Sequence, residues 1–163
     1  MEPTPAEHHK RFAYCTTRLQ YRQGRELKAV KVYTVASESR HLLVFGVPKV
    51  NLHTNIKNKM QCFGKLQSCT CVSNELAKKM ELEAFTDVFA VQFERLEQAR
   101  RAKRQLDAKQ FFGGILHISY APERETPQEL REKFQQRQRE IAQRIKRNLA
   151  EQPPAAKQKN KDA

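Results

Sequence analysis

Along the chain, apolar positions concentrate in a central stretch and thin out into polar, charged arms on either side. Leu42-Leu43-Val44-Phe45-Gly46-Val47-Pro48 is an apolar run closed by turn residues, the pattern of a buried central strand. After it, Leu52, Ile56, Met60 and Phe63 recur at spacings of four, four and three. That is one face of an amphipathic helix, and Gly64 stands where a glycine ends it. Leu66 to Val72 has strand composition, and the polar stretch Ser73 to Ala84 reads as a loop. Phe85 to Phe93 then alternates, with Phe89, Val91 and Phe93 on one face and Val88, Ala90 and Gln92 on the other. Leu96 to Leu106 repeats at helical spacing through Ala99, Ala102 and Leu106. Phe111 to Tyr120, broken by Gly113-Gly114, supplies a turn and a last strand from Ile115.

Strand, helix, strand, strand, helix, strand is the split βαβ order, an α+β, ferredoxin-like fold with two helices on one face of a four-stranded antiparallel sheet. The expected core between them is Leu43, Phe45, Ile56, Met60, Phe63, Phe89, Val91, Phe93, Ala102, Leu106, Leu116 and Ile118. The other sheet face is left for solvent or a ligand. This assigns 41–121 to the domain and 1–40 to a basic extension containing aromatics, in which Val30 to Val35 reads as an additional edge strand. Beyond the domain, Thr126-Pro127-Gln128-Glu129 carries an N-cap, a first-turn proline and a glutamate three residues after the cap. A helix within 122–151 follows, with the sparse apolar stripe Leu130, Phe134, Ile141, Ile145 and Leu149 expected to dock on the domain or on a partner. Pro153-Pro154 stops it, and 152–163 reads as a disordered basic tail.

Charge narrows the partners. The chain has 163 residues, 31 Lys and Arg against 18 Asp and Glu, and a net charge of +13. The excess is spread over all three parts, so no single tail explains it, and a polyanion such as nucleic acid is the favoured partner. Cys15, Cys62, Cys69 and Cys71 do not form paired metal-knuckle spacings, and His8-His9 reads as a solvated pair, so no metal or other cofactor is expected. No apolar run follows Met1-Glu2-Pro3-Thr4, and none approaches the roughly 20 residues of a spanning helix. A secretory signal and a membrane span are therefore not expected. There is no glycine-rich phosphate loop and no recognisable nucleophile motif, which disfavours catalysis and a small-molecule substrate. The run Arg100, Arg101, Lys103, Arg104 reads as a solvated helix face.

Domains of this order that read single-stranded RNA stack bases on exposed aromatics of the two central strands. The third-strand consensus of the RNA-recognition motif is Lys/Arg-Gly-aromatic-Gly/Ala-aromatic-Val-x-aromatic. Thr86-Asp87-Val88-Phe89-Ala90-Val91-Gln92-Phe93 keeps its inward half, Val91 and Phe93. Val88 and Ala90 stand where two stacking rings belong, and Val44 is read as standing where the third does. Two explanations remain open. RNA is held by other surfaces, or Val44, Val88 and Ala90 form a partner surface covered by protein, with the C-terminal helix one candidate cover. For RNA, the candidates are Lys10, Arg11, Tyr14, Arg18, Tyr21, Arg22, Arg25, Lys28 and Lys31 of the extension, because guanidinium forks match phosphate and aromatics stack on bases, together with His117 on the last strand.

The run His9-Lys10-Arg11-Phe12-Ala13-Tyr14-Cys15, then Tyr21-Arg22-Gln23-Gly24-Arg25, Ala29 to Val35, Ala102-Lys103-Arg104 and Phe111-Phe112-Gly113-Gly114-Ile115-Leu116-His117-Ile118-Ser119-Tyr120-Ala121-Pro122-Glu123 resembles the family of RNA-binding protein forty-eight, over about residues 9–135. That family also lacks the usual stacking aromatics. The resemblance implies a nuclear, non-catalytic RNA-binding factor of pre-mRNA splicing in the minor spliceosome. It also implies action near the capped 5′ end of a U6-type snRNA, with an armadillo-repeat protein as partner. The alternatives from the residues themselves are a fold used mainly as a protein-interaction module and a general RNA-binding protein outside splicing.

Overall fold

The computed structural model describes residues 7–10 and 33–151. The chain divides between Glu125 and Thr126 into two units. In the first, β1 (His41–Pro48), β2 (Leu66–Cys71), β3 (Thr86–Phe93) and β6 (His117–Tyr120) form one sheet in the order β2-β3-β1-β6. All neighbouring pairs are antiparallel. Helices α1 (His53–Gln61) and α3 (Leu96–Leu106) close one face of it, which is the expected ferredoxin-like RNA-recognition-motif fold. Burying Ile56 and Met60 holds α1 against the sheet, and α1 ends at Gln61, leaving Phe63 half-buried in the following turn. At its start α3 is held by the Gln98 side chain, whose Oε1 accepts from the Arg95 N–H at 3.2 Å, and it turns Ala99, Ala102 and Leu106 inward.

The core on this face joins Leu42, Val44, Val47, Phe89, Val91, Phe93 and Ile118 to those helical residues. This reverses the expected parity of β1. Val44 lies opposite Phe89 on one side and Ile118 on the other, so it faces the helices, whereas Leu43 lies opposite Ala90 and Phe45 opposite His117 on the other face. An all-apolar strand has no alternation to reveal which set is which. The parity changes again within β1, where a bulge separates Val44 from Val47 and both still reach the core. Gly46 makes this bend with φ +82°, and a Cβ there would stand 2.2 Å from the Ile115 carbonyl oxygen.

Three further expectations change. Between β2 and β3 the chain forms a short helix, α2 (Ser73–Ala77), where a loop was expected. The two glycines make a small hairpin of β4 (Gln110–Phe111) and β5 (Gly114–Ile115), so the last strand of the main sheet starts only at His117. Residues 33–35 of the expected edge strand are loop and turn, and its remainder lies outside the described residues.

The run on α3 is also not uniformly solvated. Lys103 is buried, its Nζ donating to the Ile118 carbonyl at 2.6 Å and to Asp107 Oδ2 at 3.2 Å, with the Tyr33 and Tyr120 rings close by. Arg100 donates to Glu38 Oε2. Arg101 and Arg104 are exposed.

The second unit contains α4 (Pro127–Glu151). Its N-terminus is closed by reciprocal bonds, the Thr126 N–H donating to Glu129 Oε2 at 2.8 Å and the Glu129 N–H to Thr126 Oγ1 at 3.2 Å. The stripe Leu130, Phe134, Ile141, Ile145 and Leu149 is exposed along the helix. The tail after Glu151 lies outside the described residues.

Candidate nucleic-acid interface

The sheet face away from α1 and α3 is where a base-stacking platform would lie, and here the chain itself covers it. Val72, Leu76, Met80 and Leu82, on and around α2, form a second apolar cluster with Leu43, Val88, Ala90, Phe45 and Ala121. Val88 is 1% and Leu43 1% exposed. A hydroxyl fixes the cover to the strand: the Val88 N–H donates to Ser73 Oγ at 2.9 Å, and that hydroxyl donates to Asp87 Oδ1 at 3.0 Å. Glu75 on α2 accepts from Arg124 at 3.3 Å, tying the cover to the turn Pro122–Arg124 beyond β6.

The other end of the same face is closed by the turn Glu7–His9. His9 is buried, with Nδ1 hydrogen-bonded to Ser119 Oγ at 2.6 Å and Nε2 donating to Glu123 Oε1. Its ring lies 6.1 Å from that of Phe45, which lies 5.6 Å from that of His117. His8 Nε2 donates to the second Glu123 oxygen at 3.2 Å. Burial pushes the Glu123 carboxyl up, but the His9 hydrogen bond, a backbone hydrogen bond and the neighbouring imidazoles outweigh it and hold it below its ordinary value. His8, His9 and Glu123 bring one ligand atom each within 4.8 Å of one another, the arrangement among the described residues that could take a divalent ion. Hydrogen bonding already accounts for each of these groups, and His8-His9 is a docked pair rather than a solvated one.

Among the residues singled out from the sequence, Val88 and Ala90 lie on the predicted face and under its cover. Val44 does not, being in the helix-side core. His117 is also interior: its Nε2 donates to the His9 carbonyl at 3.1 Å and so holds the Glu7–His9 turn on the sheet. Lys10 is exposed, immediately after the docked turn. Arg11, Tyr14, Arg18, Tyr21, Arg22, Arg25, Lys28 and Lys31 lie outside the described residues. The sequence did not reveal Leu43 as the β1 residue opposite Ala90, and the cover expected from a partner or the C-terminal helix comes instead from α2 and its flanks. The spacing Val72, Leu76, Met80 is a helical stripe and is the signal that would have found it.

No family model matches the chain. Curated relatives do. RNA-binding protein 48 of Homo sapiens is 42% identical over 131 residues, which is 80% of this chain and 34% of that protein. RNA-binding protein 48 of Danio rerio is 43% identical, over 83% of this chain and 36% of that protein. The Mus musculus protein of that name is 38% identical over 94% and 41%. The chain thus spans well under half the length of the curated relatives it matches. Among solved structures, the Mip6 RRM3 domain superposes with TM-score 0.42 at 12% identity, covering 52% of this chain and 94% of that one. The Rna15 RRM with bound RNA (GU) does so with TM-score 0.43 at 15% identity, covering 55% and 89%.

Proposed function

Over the stretch it shares with them, this chain belongs with the RNA-binding protein 48 relatives, and from that footing we propose that it is a nuclear RNA-binding accessory factor of pre-mRNA splicing. In this reading it works in the minor spliceosome, at the 5′ end region of a U6-type snRNA, with an armadillo-repeat protein as partner. The observation that supports it best is 38–43% identity to proteins of that name across most of the chain, joined to a net charge of +13 suited to a polyanion. The closed sheet face adds a condition. With Val88, Leu43 and Ala90 covered, RNA is gripped by other surfaces, and the basic extension from Lys10 to Lys31 is the main candidate.

A second reading, as a protein-interaction module, is favoured by one specific feature: the exposed apolar stripe of α4. Sequencing of RNA crosslinked to the tagged protein, with mass spectrometry of co-purifying proteins, separates the two. A predominant minor-class snRNA together with an armadillo-repeat protein supports splicing. Messages bound without preference indicate a general RNA-binding protein, and partners without any RNA crosslink indicate an interaction module.

A further inference from the structure

Two large aromatic side chains at one end of the first unit are held out into solvent on unusual backbone. Phe85, just before β3, is 89% exposed with φ +58°, and Phe112, at the tip of the β4–β5 hairpin, is 62% exposed with φ +48°. A bulky side chain in the left-handed region costs energy, and such positions persist where the surrounding structure over-determines them, commonly at functional sites. Both residues are tied through backbone contacts to the end of β1. The Lys49 N–H donates to the Phe85 carbonyl at 3.0 Å, and Pro48 lies opposite Thr86. On the other side the hairpin presses on the same step of β1: a Cβ at Gly114 would stand 2.6 Å from the Gly46 carbonyl oxygen and 3.1 Å from the Pro48 ring. Phe112 is steadied by an edge-on contact at 4.8 Å with the buried Phe111. The Pro48–Lys49 step is thus bonded to the Phe85 backbone and touched by the hairpin whose tip carries Phe112, and Val50 beside it is exposed as well.

We infer that Phe85 and Phe112, together with Lys49, form a stacking site for two unpaired bases of a single-stranded RNA. This rests on the RNA-binding reading above and gives it a location outside the sheet face. A ring as open as Phe85 offers its faces to a planar partner, and stacking on an aromatic tolerates any base. Lys49 is exposed and its backbone is bonded to that of Phe85, so its ammonium is available to a phosphate of a strand whose bases stack nearby, and its charge disfavours a purely apolar protein contact there. The site replaces the platform that Leu43, Val88 and Ala90 do not provide.

The test uses the full chain and a fluorescently labelled mixed-sequence RNA of about twelve nucleotides. Phe85→Leu and Phe112→Leu keep apolar bulk and remove the aromatic face. Each is expected to weaken binding at least about fivefold without changing the salt slope. Lys49→Gln is expected to flatten the slope of log affinity against log salt by about 0.7. Thermal midpoints matching the wild type certify the fold, and photocrosslinked peptides from the wild type are expected to contain Phe85 or Phe112. If the wild type binds RNA while both folded ring variants bind equally well and crosslinks map elsewhere, the stacking site is overturned and the RNA reading stands. If the wild type binds no RNA, both fail. If the ring variants instead lose a co-purifying protein and keep RNA, the corner is a protein contact and the inference is overturned.

Discussion

Among the described residues Phe93 is the largest side chain wholly enclosed between the sheet and its helices, and β3 had announced it by alternation alone. Phe93→Ala is expected to cost about 3 to 5 kcal/mol in chemical denaturation, a large part of a small domain's stability. A loss under about 1 kcal/mol contradicts its placement. Glu123 was not legible as anything but a charged residue after the last strand, because its partners His8 and His9 lie over a hundred residues away in sequence. Its lowered pKa has a definite sign. A carboxylate held below its ordinary value of 4.5 stabilises the fold above that value, and this is lost as pH falls through the lowered one. Glu123→Gln should therefore have a lower thermal midpoint than the wild type at neutral pH, and the gap should close in acid. Because the Glu123 side chain is 46% exposed, solvent screening keeps the gap small. A gap that widens in acid contradicts the assignment.

At the scale of elements, α1 and α3 were legible because one face alone of each is buried, and β3, buried on both faces, because the large Phe89, Val91 and Phe93 alternate with the smaller Val88 and Ala90 and the polar Gln92. Parity failed in β1, where both buried faces carry large apolar side chains. Leu42, Leu43, Val44 and Phe45 are all apolar because β1 is covered by α1 and α3 on one side and by α2 and His9 on the other, so the parity had to come from its partners. That Ser73 to Ala84 forms the cover went unread for the opposite reason, since this stretch is mostly polar and contributes only a few apolar side chains. Leu76→Ala is expected to destabilise by about 2 to 5 kcal/mol, as for a buried leucine. Val88→Asp should be worse, because it places a charge at a position 1% exposed. Denaturation curves of both check the cover. Wild-type stability for Val88→Asp would mean that α2 leaves the sheet readily.

For the whole molecule, composition favours a polyanionic partner without saying where it would bind, because positive charge is spread over the extension, the domain and the C-terminal part alike. The basic extension is proposed to supply phosphate contacts and the Phe85–Phe112 corner to supply stacking. Arg22→Gln with Arg25→Gln should then flatten the salt slope by roughly 1.4 if both touch phosphate, and leave the ring variants' losses unchanged. An unaltered slope assigns the contacts to the domain's own basic surface.

Whether this fold engages RNA with its sheet face closed by its own chain is decided by methyl NMR during titration with single-stranded RNA. Leu43, Leu76 and Val88 methyl signals, and their mutual proximities, are expected to stay as in the free protein while signals of Val50 and Ile115 move. Displacement of Leu76 from Val88 on RNA binding, with large shifts at Leu43 and Val88, would contradict this expectation.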